Sequence, residues 1–66
     1  MIKTIKECVT VINENNGTKQ LVALYTDGTV ESVGIFYEHE PKVESIIPML
    51  RGLTYSQAKR VIESRM

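Results

Sequence analysis

The sequence predicts an α+β fold in which a three-stranded antiparallel β-meander precedes two short helices, in the order β-β-β-α-α. Three segments rich in β-branched and apolar residues are separated by Asn16-Gly17 and Asp27-Gly28, and both dipeptides favour hairpin turns. Beyond Pro41 the apolar residues recur at helical spacing instead. Sixty-six residues suffice for one domain, which we assign to residues 1–66.

The strand segments are IKECVTVIN, KQLVALYT and TVESVGIFY. Two-residue type I′ turns would place Val22 opposite Val11 in the first hairpin and opposite Val33 in the second. One face of the sheet would then carry, beside Glu31 near its edge, the residues Val9, Val11, Val22, Leu24, Val33 and Ile35. The other face would carry, beside the small residues Thr10, Ser32 and Gly34, the residues Cys8, Ile12, Leu21, Ala23, Tyr25, Val30 and Phe36.

The helical half begins where Pro41 ends the sheet. Pro48 lies inside the first helical pattern, which predicts a short or kinked helix that ends at Gly52. Thr54 and Gln57 have the spacing of a capping box and predict the start of the second helix. Its apolar stripe is formed by Tyr55, Ala58, Val61 and Ile62.

Two short helices can cover one face of a three-stranded sheet, and the sequence leaves open which face that is. Because both predicted faces are apolar, the second face would be an association hazard in a monomer. We therefore expect a homo-oligomer, with a two-fold dimer favoured.

Composition favours a cytoplasmic protein without a membrane-spanning segment. Cys8 is the only cysteine, and no apolar run approaches the roughly 18 residues of a membrane span. Eight basic and eight acidic residues cancel, but five acids oppose one base between residues 27 and 50, and four bases oppose one acid beyond them. Size alone would suit a small accessory protein, such as those that phages or mobile elements encode.

The predicted contact site for another protein is either the acidic stretch, residues 38–44, or the sheet face that the helices leave open. Tyr37 points away from Tyr25 and Phe36 in the predicted register, and tyrosine is favoured in interfaces. The predicted protein-interaction residues are Tyr37, Glu38, Glu40 and Glu44.

Nucleic-acid binding through the C-terminal helix is the alternative. The segment LTYSQAKRVI is similar to the start of a helix-turn-helix unit, although no recognition helix follows it before Met66. An ordinary solvated helix with bases near its C-terminus explains the same pattern. The candidate contacts in this alternative are Arg51, Lys59, Arg60 and Arg65.

The sequence predicts no catalytic residue, metal ligand, cofactor or small-molecule substrate. In a strand, His39 would point away from Glu38 and Glu40, so the three would not converge on one ion. Cys8 and His39 lack an orienting third group for nucleophilic catalysis, and a hairpin turn explains Asp27-Gly28 without a bound cation. The leading hypothesis is a non-enzymatic protein-interaction module that self-associates through its sheet.

Overall fold

The structure, a computed structural model that describes residues 2–65, has three strands followed by two helices. The strands β1 (Ile5–Asn13), β2 (Thr18–Tyr25) and β3 (Val30–Tyr37) form one antiparallel sheet in the order β1-β2-β3. The helices are α1 (Lys42–Leu50) and α2 (Tyr55–Arg65). The predicted α+β fold is therefore confirmed.

Both helices pack on one face of the sheet, and a single apolar core lies between the two layers. Each fully buried aliphatic side chain stabilises such a core by about 1.5–3 kcal/mol. The sheet contributes Ile5, Cys8, Leu21, Ala23, Tyr25 and Val33, and the helices contribute Val43, Ile46, Leu50, Ala58 and Ile62.

The helix ends follow the predicted signals. α1 is short, with nine residues, and contains Pro48. It ends at Leu50, two residues before the predicted stop at Gly52, which has φ +86° and lies in the link to α2. The capping box is formed: Gln57 N donates to Thr54 Oγ1 at 3.3 Å, and Thr54 N donates to Gln57 Oε1 at 3.0 Å. Within residues 2–65, no helix has the length and apolarity to span a membrane.

The link between the helices is bonded to the start of β1. Gly52 N donates to the Ile5 carbonyl at 2.8 Å, and Ile5 N donates to the Leu53 carbonyl at 2.7 Å. This pair of backbone bonds fixes the helical layer at one end of the sheet, where Ile5 itself is buried.

The first turn is longer than predicted, because four residues, 14–17, connect β1 to β2. Type I′ geometry needs a positive φ at both central residues, but among the described residues only glycines have one. Instead, Asn13 closes the loop: its carbonyl accepts from Gly17 N and its Oδ1 accepts from Asn15 N, both at 3.1 Å. The prediction of a two-residue turn at Asn16-Gly17 was therefore wrong.

The longer loop moves the first register by two residues, so that Val22 lies opposite Val9 and not opposite Val11. A shift of two leaves the side chains of residues 8–12 on their predicted faces, because side chains alternate with a period of two. An irregularity in the register between Ile5 and Glu7 lets Ile5 join the core face.

The second turn is one residue longer than predicted. Tyr25 N donates to the Thr29 carbonyl at 2.8 Å, and Gly28, with φ +88°, donates its N–H to the Tyr25 carbonyl at 3.0 Å. This is a three-residue hairpin loop that closes on a left-handed glycine. The shift of one residue turns Val30 and Ser32 to the face of Val22, whereas the prediction had placed them on the face of Leu21.

A β-bulge at Val33 restores the predicted pairing. Leu21 lies opposite Gly34, as predicted, but Val22 lies opposite Ser32, so that Val33 is the extra residue. Val33 is buried beneath the helices, whereas the prediction had placed it on the same face as Val22. The displaced turn and the bulge therefore exchange the faces of a short part of β3 and leave its end unchanged.

Candidate protein-interaction surface

The face of the sheet opposite the helices is uncovered, and we call it the open face. It consists of four rows of cross-strand neighbours, each with one residue from every strand. Along the sheet, the rows are Asn13-Thr18-Tyr37, Val11-Gln20-Ile35, Val9-Val22-Ser32 and Glu7-Leu24-Val30.

Large apolar side chains of the open face lie in solvent. Ile35 is 67% exposed and Val30 is 66% exposed, while Val9 and Val11 are each about half exposed. A contiguous apolar patch of this kind on a small protein often marks an interaction site. The open face is therefore the principal candidate site of this molecule.

Charge is almost absent from the open face. Of its twelve row positions, only Glu7 carries a charge at neutral pH, and it lies in the outer row of an edge strand. Depletion of charge is the compositional mark of the central part of protein interfaces.

The structure places Tyr37 at the end of the open face, where it is 81% exposed. Tyr25 is buried and Phe36 packs against the core, so the predicted separation of Tyr37 from both is confirmed. Glu38 lies just beyond β3, and its N–H donates to the Gly17 carbonyl at 2.9 Å. This part of the acidic stretch therefore adjoins both the open face and the first turn.

The other two predicted acidic contacts take part in the fold. Glu40 Oε1 accepts from Lys42 N at 3.1 Å, which satisfies a backbone donor at the start of α1. Glu44 accepts from Lys19 Nζ at 2.8 Å, and this bond holds the pKa of Glu44 below its usual value. Their role in binding another protein stays a prediction.

The basic residues of the alternative site differ in their environments. Arg51, Arg60 and Arg65 are exposed, whereas Lys59 is half-buried and donates to the Val33 carbonyl at 3.4 Å. Lys59 therefore takes part in the fold, because it donates to the bulge of β3. Nucleic-acid binding by this group stays a prediction.

Cys8 and His39 lie in different environments. Cys8 is part of the core opposite Ala23, and burial raises the pKa of its thiol. His39 is exposed in the turn after β3. Since the thiolate is the reactive form of cysteine, burial makes Cys8 a poor nucleophile.

Gln20, which lies on the central strand of the open face, was not among the predicted site residues. The alternation of β2 was the available signal, because Gln20 shares its face with Val22 and Leu24. Comparison of the chain with family models, curated proteins and solved structures gives no significant match. The open face and its charge pattern therefore carry the functional inference.

Proposed function

We propose that the protein is a small non-enzymatic interaction module of the cytoplasm that self-associates through the open face. The supporting observation is a sheet face with large exposed aliphatic residues and one charged position, Glu7. A two-fold dimer is the simplest closed assembly that would cover this face.

The charge pattern favours a second copy of the chain as the occupant. A nucleic acid or a strongly charged protein needs opposite charge on the surface that receives it, and the open face offers almost none. An apolar, nearly neutral face is instead complementary to itself. Two-fold stacking requires only that the single Glu7 of each copy remains away from its symmetry mate.

The size of the open face sets the expected strength of association. Three strands about 4.8 Å apart and four rows about 6.7 Å apart give a flat footprint of about 400 Å² per copy. The two copies together would bury about 800 Å², which is less than the roughly 1,000 Å² of a stable specific interface and is the size of weak, transient contacts. We therefore expect a dissociation constant of about 1–10 μM, or roughly −7 to −8 kcal/mol.

Sedimentation equilibrium between about 1 and 100 μM tests the proposal, because this range brackets the expected dissociation constant. Ile35→Lys places a charge in the open face and should hold the protein monomeric throughout. The matched control is Met49→Lys, at an exposed position of the helical layer, which should dimerise like the wild-type chain. Circular dichroism would verify that both variants fold.

A wild-type chain that stays monomeric over the whole range would overturn the proposal. Dimerisation of Ile35→Lys with the wild-type affinity would assign the association to a surface other than the open face.

A further inference from the structure

Gln20 is an amide at the centre of the central strand of the open face. It lies on β2 between Val11 and Ile35, with Val22 as its neighbour along the same face. The Gln20 side chain is half-buried in the single chain, so water still reaches it. In a dimer that covers the open face, this amide would leave water.

Burial of an unpaired amide is unfavourable. The glutamine side chain has two N–H donors and an oxygen that accepts two hydrogen bonds. If all of these lose their water partners on burial, the free-energy cost is several times the net contribution of one protein hydrogen bond. A stable dimer through this face must therefore supply Gln20 with a polar partner. The direction of the two-fold axis decides whether it does.

A face that stacks on itself has its two-fold axis in the plane of the interface, and two directions preserve strand alignment. An axis across the strands that keeps all four rows in contact reverses the row order. It sets Gln20 over the partner's Val22, whose side chain offers the amide no bond and whose row has Ser32 as its one polar residue. An axis along β2 keeps the row order and sets Gln20 over the partner's Gln20. Two amides in this position can each donate to the other's oxygen.

We infer that two copies of the chain stack with their two-fold axis parallel to β2 and with their Gln20 amides paired across that axis. The inference rests on the proposed self-association and adds its geometry. Gln20 here has the role of a buried polar residue that selects one arrangement from several apolar ones.

The other positions of the open face fit this arrangement. Val11 lies over the partner's Ile35, which joins two of the exposed aliphatic side chains. Glu7, on the same edge strand as Val11, lies over the partner's Val30 at a corner of the interface, where solvent still reaches the carboxylate. The two Glu7 carboxylates lie on opposite edges of the stack and do not repel each other.

The distance between the two first turns distinguishes the two axes. Rotation about β2 keeps both turns at the same end of the stack, about 10–20 Å apart, because stacked sheets are separated by about 10 Å. Rotation across the strands sends them to opposite ends, about 35 Å apart, because each strand of eight residues is about 27 Å long. Asn15 lies in this turn, is exposed and lies outside the four rows of the open face.

A nitroxide spin label on Asn15→Cys in a Cys8→Ala background measures this distance by pulsed electron paramagnetic resonance. We expect one short distance for the dimer. One long distance in a chain that sedimentation shows to be dimeric would overturn the inferred axis and leave self-association standing. A monomer would remove both proposals.

Gln20→Leu in the labelled chain tests the amide pair itself. This variant should dimerise at least as tightly but should show both the short and the long distance, because no amide at position 20 then favours one axis over the other. Val22→Leu, one row away on β2, is the control and should keep the single short distance. A single short distance in Gln20→Leu would refute the selecting role of Gln20.

Discussion

Lys19 Nζ lies 2.8 Å from Oε1 and 3.1 Å from Oε2 of Glu44, so that the carboxylate of α1 neutralises a cation buried on the central strand. The Lys19 side chain is 5% exposed, and that of Glu44 is 58% exposed. Loss of the partner is costly for a buried charge, while an exposed carboxylate that loses its partner is hydrated. The two members of the pair should therefore respond differently to substitution.

Glu44→Gln should lower stability more than Lys19→Met. The first change leaves a buried ammonium without a full counter-charge, and the second replaces it with an apolar chain of similar length. Urea midpoints at pH 7 measure the difference, with Glu63→Gln on α2 as a control for loss of an exposed carboxylate. A Lys19→Met variant that is the less stable of the two would contradict this assignment.

The same pair should contribute to acid denaturation. The hydrogen bond from Lys19 lowers the pKa of Glu44 in the folded chain below its ordinary value of 4.5. The unfolded chain therefore binds a proton first as pH falls, so the contribution to stability is present above about pH 4.5 and is lost below it. Urea midpoints from pH 7 to pH 3 should decline less steeply in Glu44→Gln than in the wild-type chain, and equal slopes would be evidence against the bond.

Gly34→Ala should destabilise the sheet through the ring of Phe36. A Cβ at position 34 would lie 2.7 Å from Phe36 Cζ and 2.9 Å from Phe36 Cε2. The nearest atoms to this Cβ all belong to the Phe36 ring and none to the backbone. Such overpacking costs about 1–3 kcal/mol, measured as the free energy of unfolding. In a Phe36→Leu background, Gly34→Ala should lower the free energy of unfolding less, because the ring atoms that would contact the new Cβ are gone.

Gly17→Ala is the matched control for that experiment. Its Cβ would meet no atom within 4 Å, but its φ of +67° is unfavourable for alanine and should cost about 1 kcal/mol. Because this cost arises in the backbone, Phe36→Leu should not change it. If Phe36→Leu relieved both glycine variants equally, the ring contact would not be the cause at Gly34.

Local signals predicted the elements, and the capping box of Thr54 and Gln57 was predicted to the residue. Turn length was not predicted, because it depends on a side chain outside the dipeptide: Asn13 closes a four-residue loop around Asn16-Gly17. A dipeptide rule considers only the two central positions.

The bulge at Val33 depends on contacts that are distant in sequence. Its side chain is buried under the helices, and its carbonyl accepts from Lys59, 26 residues away. No pattern within β3 contains this information. For the candidate site, alternation predicted that Val9, Val11 and Ile35 share a face. The longer second turn brought Val30 to that face, and the bulge removed Val33 from it.

Lys59→Met should reduce stability by about 0.5–1 kcal/mol, because the Val33 carbonyl in the bulge then loses its donor. Arg60→Met, on the exposed side of the same helix, should change the free energy of unfolding little. Equal stability of the two variants would show that Lys59 does not support the bulge. Any loss of nucleic-acid binding in a Lys59 variant would have to be read against this difference.

Tyr25 should couple stability to alkaline pH. The ring is buried, its hydroxyl donates to Glu31 Oε1 at 2.8 Å, and Lys3 Nζ lies 4.4 Å from the ring centroid. Burial, and then the bond to Glu31, raise the pKa of Tyr25 well above its ordinary value of 10.0. Above about pH 10 the unfolded chain loses this proton while the folded chain keeps it, so the free energy of unfolding falls as pH rises.

Tyr25→Phe isolates that contribution from the titration of lysines, which both chains share. At pH 7 the free energy of unfolding of the variant should be about 1 kcal/mol lower than that of the wild type, because the hydrogen bond to Glu31 is lost. Between pH 9 and about pH 11 its free energy of unfolding should fall less than that of the wild type. Tyr37→Phe, at an exposed position, should follow the wild-type curve. Parallel curves for the wild type and Tyr25→Phe would mean that Tyr25 loses its proton at the same pH in the folded and unfolded chains. This result would contradict the raised pKa of Tyr25 in the folded chain.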